Sequence, residues 1–228
     1  MPSASALLRA ATSDTPPRLR ATGLACARGT RVLFRGLDFE LGPGQLLWLR
    51  GRNGAGKTSL LKLAAGLAEP HEGRIDIDGV PARRAERQDR LVFVAHANAL
   101  KDDLAAGEAL AFLLRIHGRP FDGATLDAAL DRLGILSRRD APVRTLSQGQ
   151  RRRVALARLA VEQRPTLWLL DEPFDALDTD GLSRVNAVLA GHLYRGGSIM
   201  LTSHLDLDTA VLHPIELDLD RASSLAKP

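Results

Sequence analysis

The sequence predicts an α/β fold, and three observations predict it. The run Leu46-Leu47-Trp48-Leu49 is apolar throughout, as in a strand buried on both faces, and leads directly into Gly51-Arg52-Asn53-Gly54-Ala55-Gly56-Lys57-Thr58. That segment fits the phosphate-binding loop pattern G-x-x-x-x-G-K-[ST], and Thr58 to Ala68 then repeats apolar residues at helical spacing. Two further apolar runs, Leu167 to Leu170 and Ser198 to Leu201, resume the strand core after a long Ala- and Leu-rich stretch.

Taken in order, Met1 to Arg18 lacks the apolar core of a signal peptide and reads as a disordered lead-in. From Leu19 the pattern is strand-like: Leu24 and Cys26, then Val32-Leu33-Phe34, then Leu37, Phe39 and Leu41 alternating with polar neighbours. Gly42-Pro43-Gly44 is a turn before the first core strand. After the loop and its helix, which Gly66 and Pro70 end, Ile75 to Gly79 reads as a hairpin-like strand and turn, and Leu91 to Val94 as another buried strand. Residues Leu104 to Leu136 carry helical periodicity, and we assign a helical subdomain to about residues 97–160, inserted into a domain spanning 19–219. A helix from about Gly181 to His192, the strand at 198–201 and a last helix and strand near Ile215 to Leu219 complete the core, leaving 220–228 as a tail.

A chain of 228 residues with 45% hydrophobic and 25% charged residues can bury a sizeable core, so these proportions argue against a disordered chain. The net charge of +4 comes from basic residues scattered among acidic ones, which reads as a mixed solvated surface and gives no nucleic-acid footprint. Cys26 is the one cysteine, which excludes an intrachain disulfide and fits a reducing compartment. No stretch approaches the roughly 20 apolar residues of a membrane helix, so membrane association would come from a partner.

The phosphate loop alone arises by chance in on the order of 1% of chains this long. Its glycines let the backbone wrap an anion, and the following helix N-terminus presents partial positive charge to it. Leu146-Ser147-Gln148-Gly149-Gln150 places a good helix cap, Ser147, before a helical run. Asp171 and Glu172 close the apolar run from Leu167, at the carboxyl end of a strand, where α/β sheets bind ligands. His204 follows the apolar run at 198–201. In this order and at these distances the motifs resemble those of the ATP-binding cassette (ABC) ATPases, which implies a P-loop NTPase core of ABC type with an antiparallel β subdomain and an inserted helical subdomain.

The resemblance assigns roles to these residues. Gly51 to Thr58 and Ser59 would hold ATP, with Lys57 on the phosphates and Thr58 on Mg²⁺. Asp171 would hold Mg²⁺ through water, Glu172 would polarise the attacking water, and His204 would contact the γ-phosphate and help fix that water. Ser147, Gln148, Gly149 and Gln150 correspond to the family signature, with Gln148 in place of the commoner glycine. In the family this segment meets the γ-phosphate held by the other subunit, so a homodimer sandwiching two ATP molecules is implied, with Asp178 bridging subunits. The metal-sensing glutamine of the family corresponds to His96 here. The aromatic that stacks on adenine is replaced by Arg28, whose guanidinium can stack on a flat ring. Arg151-Arg152-Arg153 is read as a solvated helix face.

Arg28, His96, the signature running into Arg152 to Leu159, and Asp171-Glu172-Pro173-Phe174 before Asp178 are similar to the ATP-binding subunit of the haem exporter of bacterial cytochrome c maturation. That implies integral membrane partners, a peripheral position on the cytoplasmic side of the cell inner membrane, and ATP-driven release of haem from a periplasmic chaperone. No C-x-x-C-H is present, and His71, His96 and His117 read as ordinary side chains, so direct haem ligation is not expected. The alternatives are the ATPase of another ABC exporter, a soluble cassette acting on ribosomes or DNA, and an inactive regulatory cassette.

Overall fold

A computed structural model describes residues 16, 18–83 and 90–221; the predicted lead-in at 1–18 and tail at 220–228 lie largely outside the described residues. Strands β1 (Leu19–Arg28) and β2 (Arg31–Leu41) form an antiparallel hairpin, with Leu19 opposite Leu41 and Arg28 opposite Arg31. On the other side of β1, β4 (Glu72–Ile77) and the short β5 (Val80–Pro81) complete an antiparallel sheet in the order β2-β1-β4-β5. The turn predicted at Gly79 joins those last two strands.

The second sheet is all parallel, in the order β6 (Leu91–Val94), β7 (Leu167–Leu170), β8 (Ser198–Thr202), β3 (Leu46–Arg50) and β9 (Ile215–Asp218). Both of its faces are covered, which is why its strands read as unbroken apolar runs. Along β3, Leu47 and Leu49 join a core with the antiparallel sheet and α1 (Lys57–Ala64), whereas Leu46 and Trp48 face the opposite core. That opposite core is filled from α2 (Ala106–Ile116), α3 (Gly123–Arg132), α4 (Gln148–Val161) and α5 (Thr179–Tyr194), with the one-turn α6 (Thr209–Leu212) at its margin. Strand order, not sequence order, assembles the site: β7, β8 and β3 are neighbours, so the residues following each of them emerge side by side at one sheet edge.

The structure corrects several readings. The strand at 91–94 is an edge strand, with Val94 buried but Leu91, Val92 and Phe93 half-buried, because only β7 flanks it. The first helix stops at Ala64, ahead of the predicted Ala68, because the chain turns over Gly66 at φ 67°. Val32 to Leu41 forms one continuous strand. In the core, His192 stacks on Trp168 with ring centroids 3.6 Å apart, and its Nε2 lies 2.9 Å from the Thr166 carbonyl oxygen. Burial pushes its pKa down to about 4, so the ring is neutral.

Candidate nucleotide site

The phosphate loop needs its glycines for two reasons. Gly51, Gly54 and Gly56 have φ values of 134°, 81° and 106°, which disfavour any side chain. A Cβ on Gly56 would also lie 3.1 Å from the buried Phe34 ring, so the antiparallel sheet presses directly on the loop. Gly56 precedes α1 without a side-chain cap, leaving the first-turn amides directed at the loop. The Lys57 ammonium donates to the Gly51 carbonyl oxygen at 2.6 Å and the Arg52 carbonyl oxygen at 3.3 Å, which holds it over the loop.

Asp220, from the predicted tail, anchors the opposite side. Its carboxylate accepts from the Arg52 backbone N–H at 2.7 Å and from Arg52 Nε at 3.1 Å, and these bonds hold its pKa below the usual range. Nothing in a sequence of this kind marks Asp220, because the contact spans the chain from one end of the domain to the other.

At the ends of β7 and β8 a short polar chain forms. Asp171 is buried, and its carboxylate accepts from Thr58 Oγ1 at 3.1 Å and from Thr202 Oγ1 at 2.9 Å. Thr202 Oγ1 also accepts the Glu172 N–H at 2.9 Å. Glu172 adopts φ 51°, a left-handed conformation that costs a non-glycine residue about 1–3 kcal/mol and persists only where neighbours over-determine it. Its carboxylate accepts from the His204 backbone N–H at 3.0 Å, and the His204 ring Nε2 lies 3.5 Å from its other oxygen. His96 is exposed near the start of the loop after β6, 3.7 Å from Asp175.

A cavity of about 430 Å³ gathers these groups. It is lined by Lys57, Thr58, Asp171, Glu172, His204 and His96, with Arg28, Leu33, Arg52, Asn53, Gly54, Gly56 and Ser59 around them. Gly51 and Ala55 belong to the loop without lining the cavity. Ser147, Gln148, Gly149, Gln150 and Asp178 do not line it either. Ser147 and Gln150 form a reciprocal cap on α4, Gln150 N to Ser147 Oγ at 3.2 Å and Ser147 N to Gln150 Oε1 at 3.0 Å. A Cβ on Gly149 would sit 2.3 Å from the Ala176 carbonyl oxygen, so the signature lies tight against the 175–178 loop. Asp178 caps α5 through the Gly181 N–H at 2.8 Å and pairs with Arg153, and that N–H above all holds its pKa down.

The solvated-face reading of Arg151 to Arg153 is wrong for two of the three. Arg152 is 2% exposed and Arg153 9%, whereas Arg151 is half-buried at the edge of α4. Arg153 turns towards Asp178 and Asp180, the latter at 3.0 Å. Arg152 turns into the protein and donates only to uncharged oxygens, described below. Consecutive arginines cannot share one helix face, and sequence pattern alone did not say which of them turned inward.

The sheet, the loop and the cavity define a phosphate-loop nucleoside triphosphatase of cassette type. Residues 34–175 match the ABC transporter family. The cytochrome c biogenesis ATP-binding export protein CcmA of Pseudomonas putida is 47% identical over 192 residues, 83% of this chain and 90% of that protein. Its namesake in Methylococcus capsulatus is 46% identical over 198 residues, 86% of this chain and 94% of that protein. Among solved structures, a putative ABC transporter ATP-binding protein from Pyrococcus furiosus superposes with TM-score 0.77 at 23% identity, over 90% of this chain and 98% of that one. A dimeric, post-hydrolysis ATP-binding cassette bound to ADP and Pi gives TM-score 0.73 at 22% identity, over 88% of this chain and 94% of that one. The chain belongs to the ABC transporter family, among the cytochrome c biogenesis ATP-binding export proteins. The predicted fold class is borne out, and among the described residues no helix is long and apolar enough to cross a membrane.

Proposed function

We propose that this chain is the ATP-hydrolysing subunit of the haem exporter of c-type cytochrome biogenesis, acting as a homodimer on integral membrane subunits at the cytoplasmic face of the cell inner membrane. The observation that carries the ATPase reading is the convergence of Lys57, Thr58, Asp171, Glu172 and His204 on one cavity of about 430 Å³. Lys57 and the first-turn amides of α1 take the β- and γ-phosphates, with residues 51–59 around them. Thr58 and Asp171 present hydroxyl and carboxylate oxygens within 3.1 Å of each other, a donor set that suits Mg²⁺, a hard cation that completes its shell with phosphate and water. Bound by Thr58 and Asp171, Mg²⁺ would supply positive charge to offset that developing on the phosphates.

Glu172 accepts a hydrogen bond from the attacking water and orients it in line with the γ-phosphorus. His204, held against Glu172 by its own backbone N–H, reaches the γ-phosphate side of that water. His96 lines the cavity and would take the place of the family's metal-sensing glutamine. Arg28 and Leu33 line the cavity, and the Arg28 guanidinium would take the base in place of an aromatic ring. Because Ser147 to Gln150 lie outside their own chain's cavity, they are available to the nucleotide of a second copy, as the sandwich requires. The export reading rests on the relatives, and the membrane subunits would supply substrate recognition.

The test is hydrolysis and association of Glu172→Gln in the presence of the membrane subunits. Hydrolysis falls by about two orders of magnitude or more if Glu172 polarises the water, and the variant accumulates as an ATP-dependent dimer. Parental turnover, or a monomer whatever the nucleotide, would rule the mechanism out. Co-purification with ribosomes in place of membrane proteins would defeat the export assignment.

A further inference from the structure

Arg152 is a buried cation whose acceptors carry no formal charge. Its Nη2 donates to the Asp171 carbonyl oxygen at 2.7 Å and the Glu172 carbonyl oxygen at 2.8 Å, and its Nε to the Pro173 carbonyl oxygen at 3.4 Å. Its Nη1 donates to the Ala95 and His96 carbonyl oxygens at 3.0 and 3.3 Å and to Asn98 Oδ1 at 3.0 Å. One guanidinium therefore joins three elements: α4, the loop after β7 that carries both acids, and the loop after β6 that carries His96. Burial lowers its pKa, and Asp175, Asp171 and Glu172 offset this through their charges. An apolar side chain would fill the same space without desolvating a charge, so packing does not account for an arginine here.

The position of the clamp is informative. Glu172 is held in its left-handed conformation from two sides, by Thr202 Oγ1 at its N–H and by Arg152 at 2.8 Å, with the Asp175 N–H at 3.3 Å, at its carbonyl oxygen. Without Arg152 that carbonyl oxygen keeps only the longer bond from the Asp175 N–H at 3.3 Å, and the carboxylate would swing as the strained backbone relaxed. Arg152 also lies at the start of the second turn of α4, whose first turn is the signature.

We propose that Arg152 is a positioning residue for hydrolysis, tying the signature helix to the Glu172 peptide and to the His96 loop, so that the placement of α4 sets the aim of the Glu172 carboxylate. This deepens the proposed function and rests on Glu172 as the group that polarises water. Arg152 does not line the cavity, and it acts through the two loops.

The test compares parent, R152Q, R152K, E172Q and R152Q/E172Q, each assembled with the membrane subunits, for turnover and for affinity towards a fluorescent ATP analogue. R152Q lowers kcat about tenfold or more while the analogue Kd stays within about threefold, a split that general loosening of the fold would not give. In the E172Q background the same change costs less than about twofold, because its effect is already spent. R152K keeps the charge but cannot bridge both loops, so it shows the same split and carries the test should R152Q fail to fold. A parental kcat in R152Q and R152K, a proportional loss of affinity and turnover, or a full multiplicative loss in the double variant overturns the proposal alone. Parental turnover in E172Q overturns it together with the Glu172 assignment.

Discussion

Thr202→Val removes one oxygen from a fully buried position that serves both acids. Thr202 Oγ1 donates to Asp171 Oδ1 at 2.9 Å and accepts the Glu172 N–H at 2.9 Å. Valine has nearly the same shape, so no cavity opens and the loss is that of the two hydrogen bonds. A bond to a carboxylate contributes about 1.5–3 kcal/mol, and orphaning a buried N–H costs about 1–3 kcal/mol. Partial relaxation of the Glu172 peptide offsets some of this, so we expect a net loss of about 3 kcal/mol. For a domain of this size that lowers Tm by about 6–12 °C. Thr202→Ser keeps the oxygen and loses one methyl, costing about 1 kcal/mol. Urea unfolding measures the difference, and turnover measures its consequence: the valine variant falls about tenfold in kcat while serine stays close to the parent. Equal stability and turnover in the two variants would show that the hydroxyl does not hold the acids.

Two further outcomes are accessible. Gly149→Ala places a Cβ 2.3 Å from the Ala176 carbonyl oxygen, so α4 or the 175–178 loop must shift; we expect about 1–3 kcal/mol of destabilisation in urea and lost turnover, and parental values would refute the close approach. His192 has a pKa of about 4 in the fold against 6.5 unfolded, so as pH falls below 6.5 the unfolded chain binds a proton that the fold refuses; stability drops by up to about 3 kcal/mol towards pH 4, and His192→Phe, which keeps the stack on Trp168, should remove that part of the slope in unfolding curves at pH 7.5 and 4.5.

Much of the fold was legible because its strands are buried on both faces and its turns carry glycine. The run Leu46 to Leu49 and the loop after it could hardly form another local structure, and β3, α1, β7 and β8 lie where the pattern placed them. The acids and His204 were legible because each follows an apolar run and so sits at a strand end. Contacts made across the chain were less legible. Asp220 on the phosphate loop, Thr202 beneath Glu172 and Arg152 beneath both loops are polar residues of ordinary type, and their meaning comes from which strand lies beside which. The misread edge strand has the same origin, since Leu91 to Val94 is apolar enough for a centre but has a single neighbour.

These long-range contacts also bear on why a cassette of this kind would couple hydrolysis to association. The groups proposed to meet phosphate and water follow β3, β7 and β8, neighbouring strands whose pairing a second copy would hardly alter. The Glu172 peptide is different, because its conformation is strained and the shorter of the bonds to its carbonyl oxygen comes from α4. Other residues at the start of α4 do not line the cavity: Ser147 and Gln150 cap one another, Gly149 presses on the Ala176 carbonyl oxygen, and Arg153 grips Asp178 and Asp180. A ligand arriving at the signature would therefore push on a helix that already holds the Glu172 carbonyl oxygen and pairs with Asp178. Movement of about an ångström at a reacting centre is enough to change rates by two orders of magnitude. On the proposed role of Arg152, association need not contribute a new acid to each chain, because a displacement of α4 would move the Glu172 peptide through its carbonyl oxygen.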